Sequence, residues 1–207
     1  MLHTRLNWIT ADAAALDECV TYVEREIRSA LESRPGSLGI SVLEGRERGV
    51  VIFGSIWATS NEMGGSEDTE APMRAELAKR AGAPVRVEDY QIPIFELVER
   101  EALTRRCHAV RLTRMQVRPS QVDDVIEVVG DIVVPSLIGT PGFCDALLFA
   151  DPASGRLISE TVWRDAGARA AAPSIASIVQ TEVPDAASGE IHAVEDYSLV
   201  FSSMQEP

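Results

Sequence analysis

A chain of 207 residues, 45% hydrophobic and 25% charged, carries enough apolar material for one large core or for two of about 100 residues each. Its net charge of −13 argues against nucleic acid and anionic membrane surfaces as partners, because both select basic patches. No run of roughly eighteen apolar residues could span a membrane, and no basic-then-apolar leader opens the chain, so the expected location is a reducing cytoplasm.

The chain contains itself twice. Moving residues 5–57 forward by 106 positions, without a gap, superposes ten identities, among them Arg5 on Arg111, Asp17 on Asp123, Pro35-Gly36 on Pro141-Gly142, Gly49 on Gly155 and Trp57 on Trp163. Near the end of each copy Val-Glu-Asp-Tyr recurs, at Val87 to Tyr90 and at Val194 to Tyr197. The folding unit is therefore about 100 residues, with domains expected at 1–97 and 108–207.

Both copies read as the same elements in order. A short strand opens each (Thr4 to Thr10; Val110 to Val117). A helix follows, with Leu16, Val20, Val23, Ile27 and Leu31 on one apolar stripe, matched by Val122, Ile126, Val129, Val133 and Leu137. Asp12 and Ser120 are the expected N-caps, and Pro135 predicts a kink or an early end to the second of these helices. The Pro-Gly pairs stop each helix and turn the chain. Next come a strand (Leu38 to Leu43; Asp145 to Ala150), a hairpin connection (Gly45 to Gly49; Asp151 to Gly155) and a third strand (Val50 to Trp57; Arg156 to Trp163). A second helix follows, placed in copy one at Pro72 to Ala81 with Gly82 as its stop, and a fourth strand closes each unit (Val85 to Phe95; Ile191 to Phe201). A charged connector at 96–107 joins the copies.

The order β-α-β-β-α-β is the ferredoxin-like arrangement, an antiparallel sheet with two helices on one face. The other face needs cover, and a second copy on the same chain supplies it. The expected class is thus α+β, with two ferredoxin-like repeats packed sheet to sheet. Such a chain is either a monomer that is its own pseudo-dimer, or a homodimer.

Cys19, Cys107 and Cys144 are an odd number without metal spacing, and His3, His108 and His192 do not map onto one another between copies, so no metal is expected. There is no Gly-rich phosphate loop and no Gly-x-Ser-x-Gly elbow. No cofactor is expected.

The segments PGSLGISVLEGRERGVVIFGSIW and PGFCDALLFADPASGRLISETVW carry a Pro-Gly pair after the first helix, a Gly before strand three and a Trp closing it. In these residues the chain resembles the antibiotic biosynthesis monooxygenase branch of the dimeric α/β barrel superfamily, in a fused two-copy form. The resemblance implies a pocket between each sheet and its helices. In the oxygen-using members, which act on phenolic polyketides without metal or flavin, an Asn, a Trp and tyrosines line that pocket. A small aromatic or quinol-type substrate, oxidised without a cofactor, is the function so implied; a non-catalytic binder or a structural protein on the same scaffold is the alternative. Heme-degrading relatives place a histidine on the helix after the Trp. Neither 58–82 nor 164–183 contains one, so heme degradation is not expected.

Carried over by position, Trp57 and Trp163 match the family Trp, and Asn7 falls in the first strand with Thr113 as its counterpart. Each Trp reads first as a plug between strand and helix, and second as a ligand contact. Arg5 and Arg111 could hold an anionic ligand or form a salt bridge to a repeated acid such as Asp89 or Asp196. Glu160, whose counterpart is Gly54, alternates with Ile158 and Val162 on an apolar face, where burial would raise its pKa toward that of a general base working near neutrality.

Overall fold

The computed structural model describes residues 1–98, 108–173, 178 and 190–205. Most of the charged connector, and residues 174–177 and 179–189, lie outside those residues. The elements alternate as the duplication predicts. In copy one they are β1 (Leu2–Thr10), α1 (Ala13–Tyr22), a π-turn (Val23–Ile27), α2 (Arg28–Glu32), β2 (Ser37–Gly45), β3 (Val50–Trp57), α3 (Ser60–Gly65), α4 (Glu67–Ala81) and β4 (Arg86–Leu97). In copy two they are β5 (Ala109–Gln116), a 3-10 turn (Pro119–Gln121), α5 (Val122–Val128), a π-turn (Val129–Val133), α6 (Val134–Ile138), β6 (Phe143–Asp151), β7 (Arg156–Trp163), α7 (Ala166–Ala171) and β8 (Glu190–Ser202). The class is α+β, with two β-α-β-β-α-β repeats. No helix among the described residues is long and apolar enough to cross a membrane.

The two π-turns occupy the same repeat position and explain the spacing of the apolar stripe. Cys19, Val23, Ile27 and Leu31 are all fully buried and follow one another in steps of four. In an α-helix each such step rotates the stripe by about 40°. A turn closed by i→i+5 bonds, as from Arg28 N–H to Val23 and from Val134 N–H to Val129, takes up the excess and keeps the stripe on the sheet. Pro135 therefore does not end its helix. It sits in the first turn of α6, directly after the π-turn, and the helix runs on to Ile138.

The strand ends shift by one or two residues, and two helix starts differ from expectation. Pro119 starts the copy-two helix one turn early, as a 3-10 turn in which Gln121 Oε1 accepts from Arg118, so Ser120 falls inside the first turn and caps nothing. In copy one the second helix begins at Glu67 instead of Pro72, and Pro72 lies within it. A preceding turn, α3, is capped by Thr59, whose hydroxyl accepts from the Glu62 amide, and its Gly64-Gly65 continue helical geometry. Asp12 caps α1 as predicted, accepting from Ala15.

By contacts the chain divides into a first unit, Met1–Tyr90 with Ser198–Pro207, and a second unit, Gln91–Tyr197. In the first, β3 lies between β1 and β2, and the end of β8 pairs antiparallel with β2, Phe201 opposite Val42. In the second, β7 lies between β5 and β6, and the end of β4 pairs with β6, Phe95 opposite Leu147. In the first unit β4 also neighbours β1, and in the second β8 neighbours β5.

Strand alternation sorts each sheet into two faces. In the first unit Ile9, Val42, Val51, Phe53 and Trp57 pack with the helical stripe, against Met63 and Leu77. In the second, Ala146, Leu148, Leu157 and Trp163 do the same with Val122, Val129, Val133 and Leu137. The Pro-Gly turns hold alike in both copies: Gly36 and Gly142 have positive φ, and their carbonyls accept from Ala58 and Arg164 at 2.8 Å.

The repeat's glycines give a direct test. At Gly155, with φ of +74°, a Cβ would lie 2.0 Å from the Val117 carbonyl oxygen, whereas a Cβ at Gly64 meets nothing within 4 Å. Gly155→Ala is expected to cost at least about 2 kcal/mol, and Gly64→Ala to add about 0.5–1 kcal/mol. Thermal denaturation of the two variants beside the parent protein checks both signs.

Candidate functional site

On the helix-covered face of the first unit, β1 presents Arg5, Asn7 and Ile9, and β3 presents Phe53, Ser55 and Trp57. The register sets Asn7 opposite Phe53 and Arg5 opposite Ser55. Asn7 has no exposed surface, and among the described residues neither its Oδ1 nor its Nδ2 has a hydrogen-bond partner. A buried amide left in that state costs about 1–3 kcal/mol per unmet group, so this position is destabilising for the chain alone. In the second unit the matching pair is Thr113 opposite Ser159, two small hydroxyl residues.

Trp57 and Trp163 are walled in, at 0% and 2% exposed. The Trp57 indole N–H donates to Ser55 Oγ at 3.0 Å, and the Trp163 N–H to Thr161 Oγ1 at 3.0 Å. Phe143 meets Trp163 edge-to-face, with ring centroids 5.3 Å apart. Each indole is thus a fixed apolar wall whose polar handle is already engaged.

The arginines take the repeated aspartates. Arg5 grips Asp89 in a fork, Nε to Oδ1 at 2.8 Å and Nη2 to Oδ2 at 2.9 Å, while its Nη1 reaches Glu67 at 2.8 Å and Glu70 at 3.6 Å. Arg74 closes the network onto Glu67 and Glu70. Arg111 holds Asp196 in the same way at 3.0 and 3.3 Å, joined by Arg169. Glu70 is almost fully buried; burial pushes its pKa up, while the Ser66 hydroxyl at 2.5 Å and the two arginines pull it back.

Glu160 lies on the other face of β7 from Trp163. Alternation places it with Ile158 and Val162, away from the helices, and the register sets it between Leu112 of β5 and Leu147 of β6. Asn7 and Trp57 thus share one face in the first unit, Trp163 has the equivalent face in the second, and Glu160 joins neither set. Burial pushes the Glu160 pKa up to about 7. Beside it on the same face is Asp145, fully buried, which sequence reasoning passed over. Among the described residues neither Asp145 oxygen receives a well-formed hydrogen bond. Burial, and then the Glu160 charge, hold its carboxyl well above the ordinary range; the Ala146 amide offsets this only in part, and Glu96 adds to the rise. The signal was present in the chain: an acid entering the apolar run Phe143 to Ala150 where the other copy has Gly39.

A carboxyl whose pKa rises on folding stabilises the fold only while protonated. For Glu160 that contribution is complete below about pH 4.5, falls as the pH rises toward 7, and is about 3 kcal/mol smaller above that. Glu160→Gln is expected to flatten this part of the stability–pH profile and to be the more stable protein at pH 8, as measured by urea unfolding from pH 4 to 9.

No family model matches the chain. It is 31% identical to the uncharacterized protein Rv2557 of Mycobacterium tuberculosis over 163 residues, covering 79% of this chain and 71% of the relative. It is also 27% identical to Rv2558 of the same organism over 208 residues, covering all of this chain and 87% of that one. Among solved structures, an anthrone oxidase-like protein matches with a TM-score of 0.69 at 15% identity, over 97% of this chain and 92% of that one. A ferredoxin-fold protein of Listeria monocytogenes related to antibiotic biosynthesis monooxygenases matches with a TM-score of 0.53 at 8% identity, over 96% and 95%. These structural matches carry the fold. The chain belongs to the protein family of Mycobacterium tuberculosis Rv2557, built on the antibiotic biosynthesis monooxygenase-like, dimeric α/β barrel fold with two copies fused in one chain.

Proposed function

We propose that the first unit binds a small aromatic or quinol-type molecule on its helix-covered face and oxidises it with dioxygen, without metal or organic cofactor. The observation that carries this reading is Asn7: a fully buried amide with both polar atoms unmet, two same-face steps along the sheet from the Trp57 indole. A phenolic or enolic ligand complements it, since one oxygen can accept from Nδ2 while a hydroxyl donates to Oδ1. Phe53 and Trp57 offer apolar ring surface beside it.

The chemistry asks little of the protein. An anthrone-type carbon acid, as its enolate, passes one electron to dioxygen; the radical pair joins as a peroxide; loss of water leaves the carbonyl. One methylene and one dioxygen become one carbonyl and one water. Asn7 Nδ2 would stabilise the enolate oxygen in a site closed to water. Trp163 forms the equivalent wall in the second unit, where Thr113 offers a hydroxyl in place of the amide. Glu160, on the opposite face of its sheet, would serve as a base only for a ligand bound on that face.

A second reading, a non-catalytic binder, is favoured by one observation. Arg5, the charged neighbour of Asn7 on the same face of β1, is committed to ion pairs with Asp89, Glu67 and Glu70, and Glu70 is shared with Arg74.

Dioxygen uptake by the metal-free protein with a panel of anthrones and hydroquinones tests the first reading, with Asn7→Leu as the diagnostic variant. Uptake is expected to fall about a hundredfold. Its melting temperature is expected to rise, because two unmet buried polar atoms are removed. Uptake unchanged in Asn7→Leu removes the catalytic role. Ligand binding without uptake, lost in the same variant, leaves the binder.

A further inference from the structure

The second unit carries a feature that the fold does not require. Asp145 and Glu160 lie on the helix-free face of adjacent strands, yet their repeat counterparts are Gly39 and Gly54. Copy one therefore builds the same pair of strands with no side chain at either position. Both copies also share a β-bulge here, between Ser37 and Gly39 in one and between Phe143 and Asp145 in the other. A bulge re-aims the residue that follows it, and in copy two that residue is an acid.

Two carboxyls on one buried face ordinarily come with a cation. Among the described residues no cation pairs with either acid. Arg111 and Arg169 hold Asp196, and Arg156 holds Asp151. Asp145 is fully buried with both oxygens unmet, while Glu160 keeps 5% of its surface accessible. Around them, β5 contributes Val110, Leu112 and Arg114 to this face, β6 contributes Leu147 and Phe149, and β7 contributes Ile158 and Val162 with Arg156 at its start. Glu96 of β4 adds a further negative field at Asp145.

We propose that Asp145 and Glu160 together form a binding site for a small primary ammonium group. Three N–H donors suit two carboxyls that have lone pairs to spare, and the short alkyl end suits walls of Leu, Ile and Val. A divalent metal suits the site poorly: no group of three ligating side chains exists among the described residues, and hard cations need more oxygens than two carboxyls provide. Burial of both acids limits the occupant to a small head group. Without a cation, the like charges compel the pair to retain a proton, so the ammonium group enters by displacing it.

The experiment uses the full chain with methylammonium chloride, against potassium chloride at equal ionic strength and against methanol as the uncharged analogue. The readouts are melting temperature and apparent Kd from pH 5 to 9. Methylammonium is expected to raise the melting temperature at pH 8 beyond either control. Because binding releases one proton, its Kd is expected to tighten by about tenfold per pH unit between pH 5 and 7, then level off. Asp145→Asn and Glu160→Gln, which keep the shape and remove one charge each, are expected to melt no lower than the parent protein and to weaken methylammonium binding at least tenfold. Asn7→Leu is expected to bind it unchanged, which separates this site from the oxidation site. Equal effects from potassium and methylammonium, no effect from either, or full binding in both carboxamide variants would overturn the proposal.

Discussion

Strand alternation is the constraint on which this structure and its chemistry depend. A strand offers each side chain one of two faces, and in each unit the helices cover only one of them. That choice puts Asn7, Ser55 and Trp57 together in the first unit and separates Glu160 from Trp163 in the second, although those two residues are only three apart in sequence. The helices answer to the same rule. Their apolar stripe has to stay on the sheet for five turns, and a stripe spaced by fours can do so only if the helix widens once, which both copies do at the same place.

Duplication gave the chain two scaffolds and different uses of buried polarity in each. Copy one keeps an amide with unmet hydrogen bonds on the helix-covered face, and a network of Arg5, Glu67, Glu70, Arg74 and Asp89 tying α4 to the sheet. Copy two retains the Arg111–Asp196 pair of that network and has small hydroxyls where copy one has Asn7 and Phe53. It puts two buried acids on the opposite face, Asp145 and Glu160, where copy one has glycine. Buried groups of this kind reduce stability, so their presence in a chain whose other copy folds without them points to binding or chemistry.

Much of the fold was legible from the repeat. β3 and β7 have the limits read from the apolar runs, the Pro-Gly turns lie where expected, and the arginines pair with the repeated aspartates. The misplaced boundaries have local causes. Pro119 drew a helix start forward, Pro72 was tolerated inside a helix, and the π-turns left no mark except a stripe stepping by four. The candidate site was read less fully. Asn7, Trp57, Trp163 and Glu160 were each visible as residue types, but Asp145 looked like an ordinary strand boundary.

The sequence by itself determined the repeat, the order of elements and which side chains share a face, because periodicity and turn chemistry act over a few residues. Only the tertiary structure decided which polar groups lack a partner. A hydrogen bond depends on atoms brought together from distant segments: Trp57 finds Ser55 two residues away and Arg5 finds Asp89 across the sheet, while Asn7 and Asp145 find no well-formed hydrogen bond among the described residues. Local pattern cannot report such an absence, since it is a property of every neighbour at once.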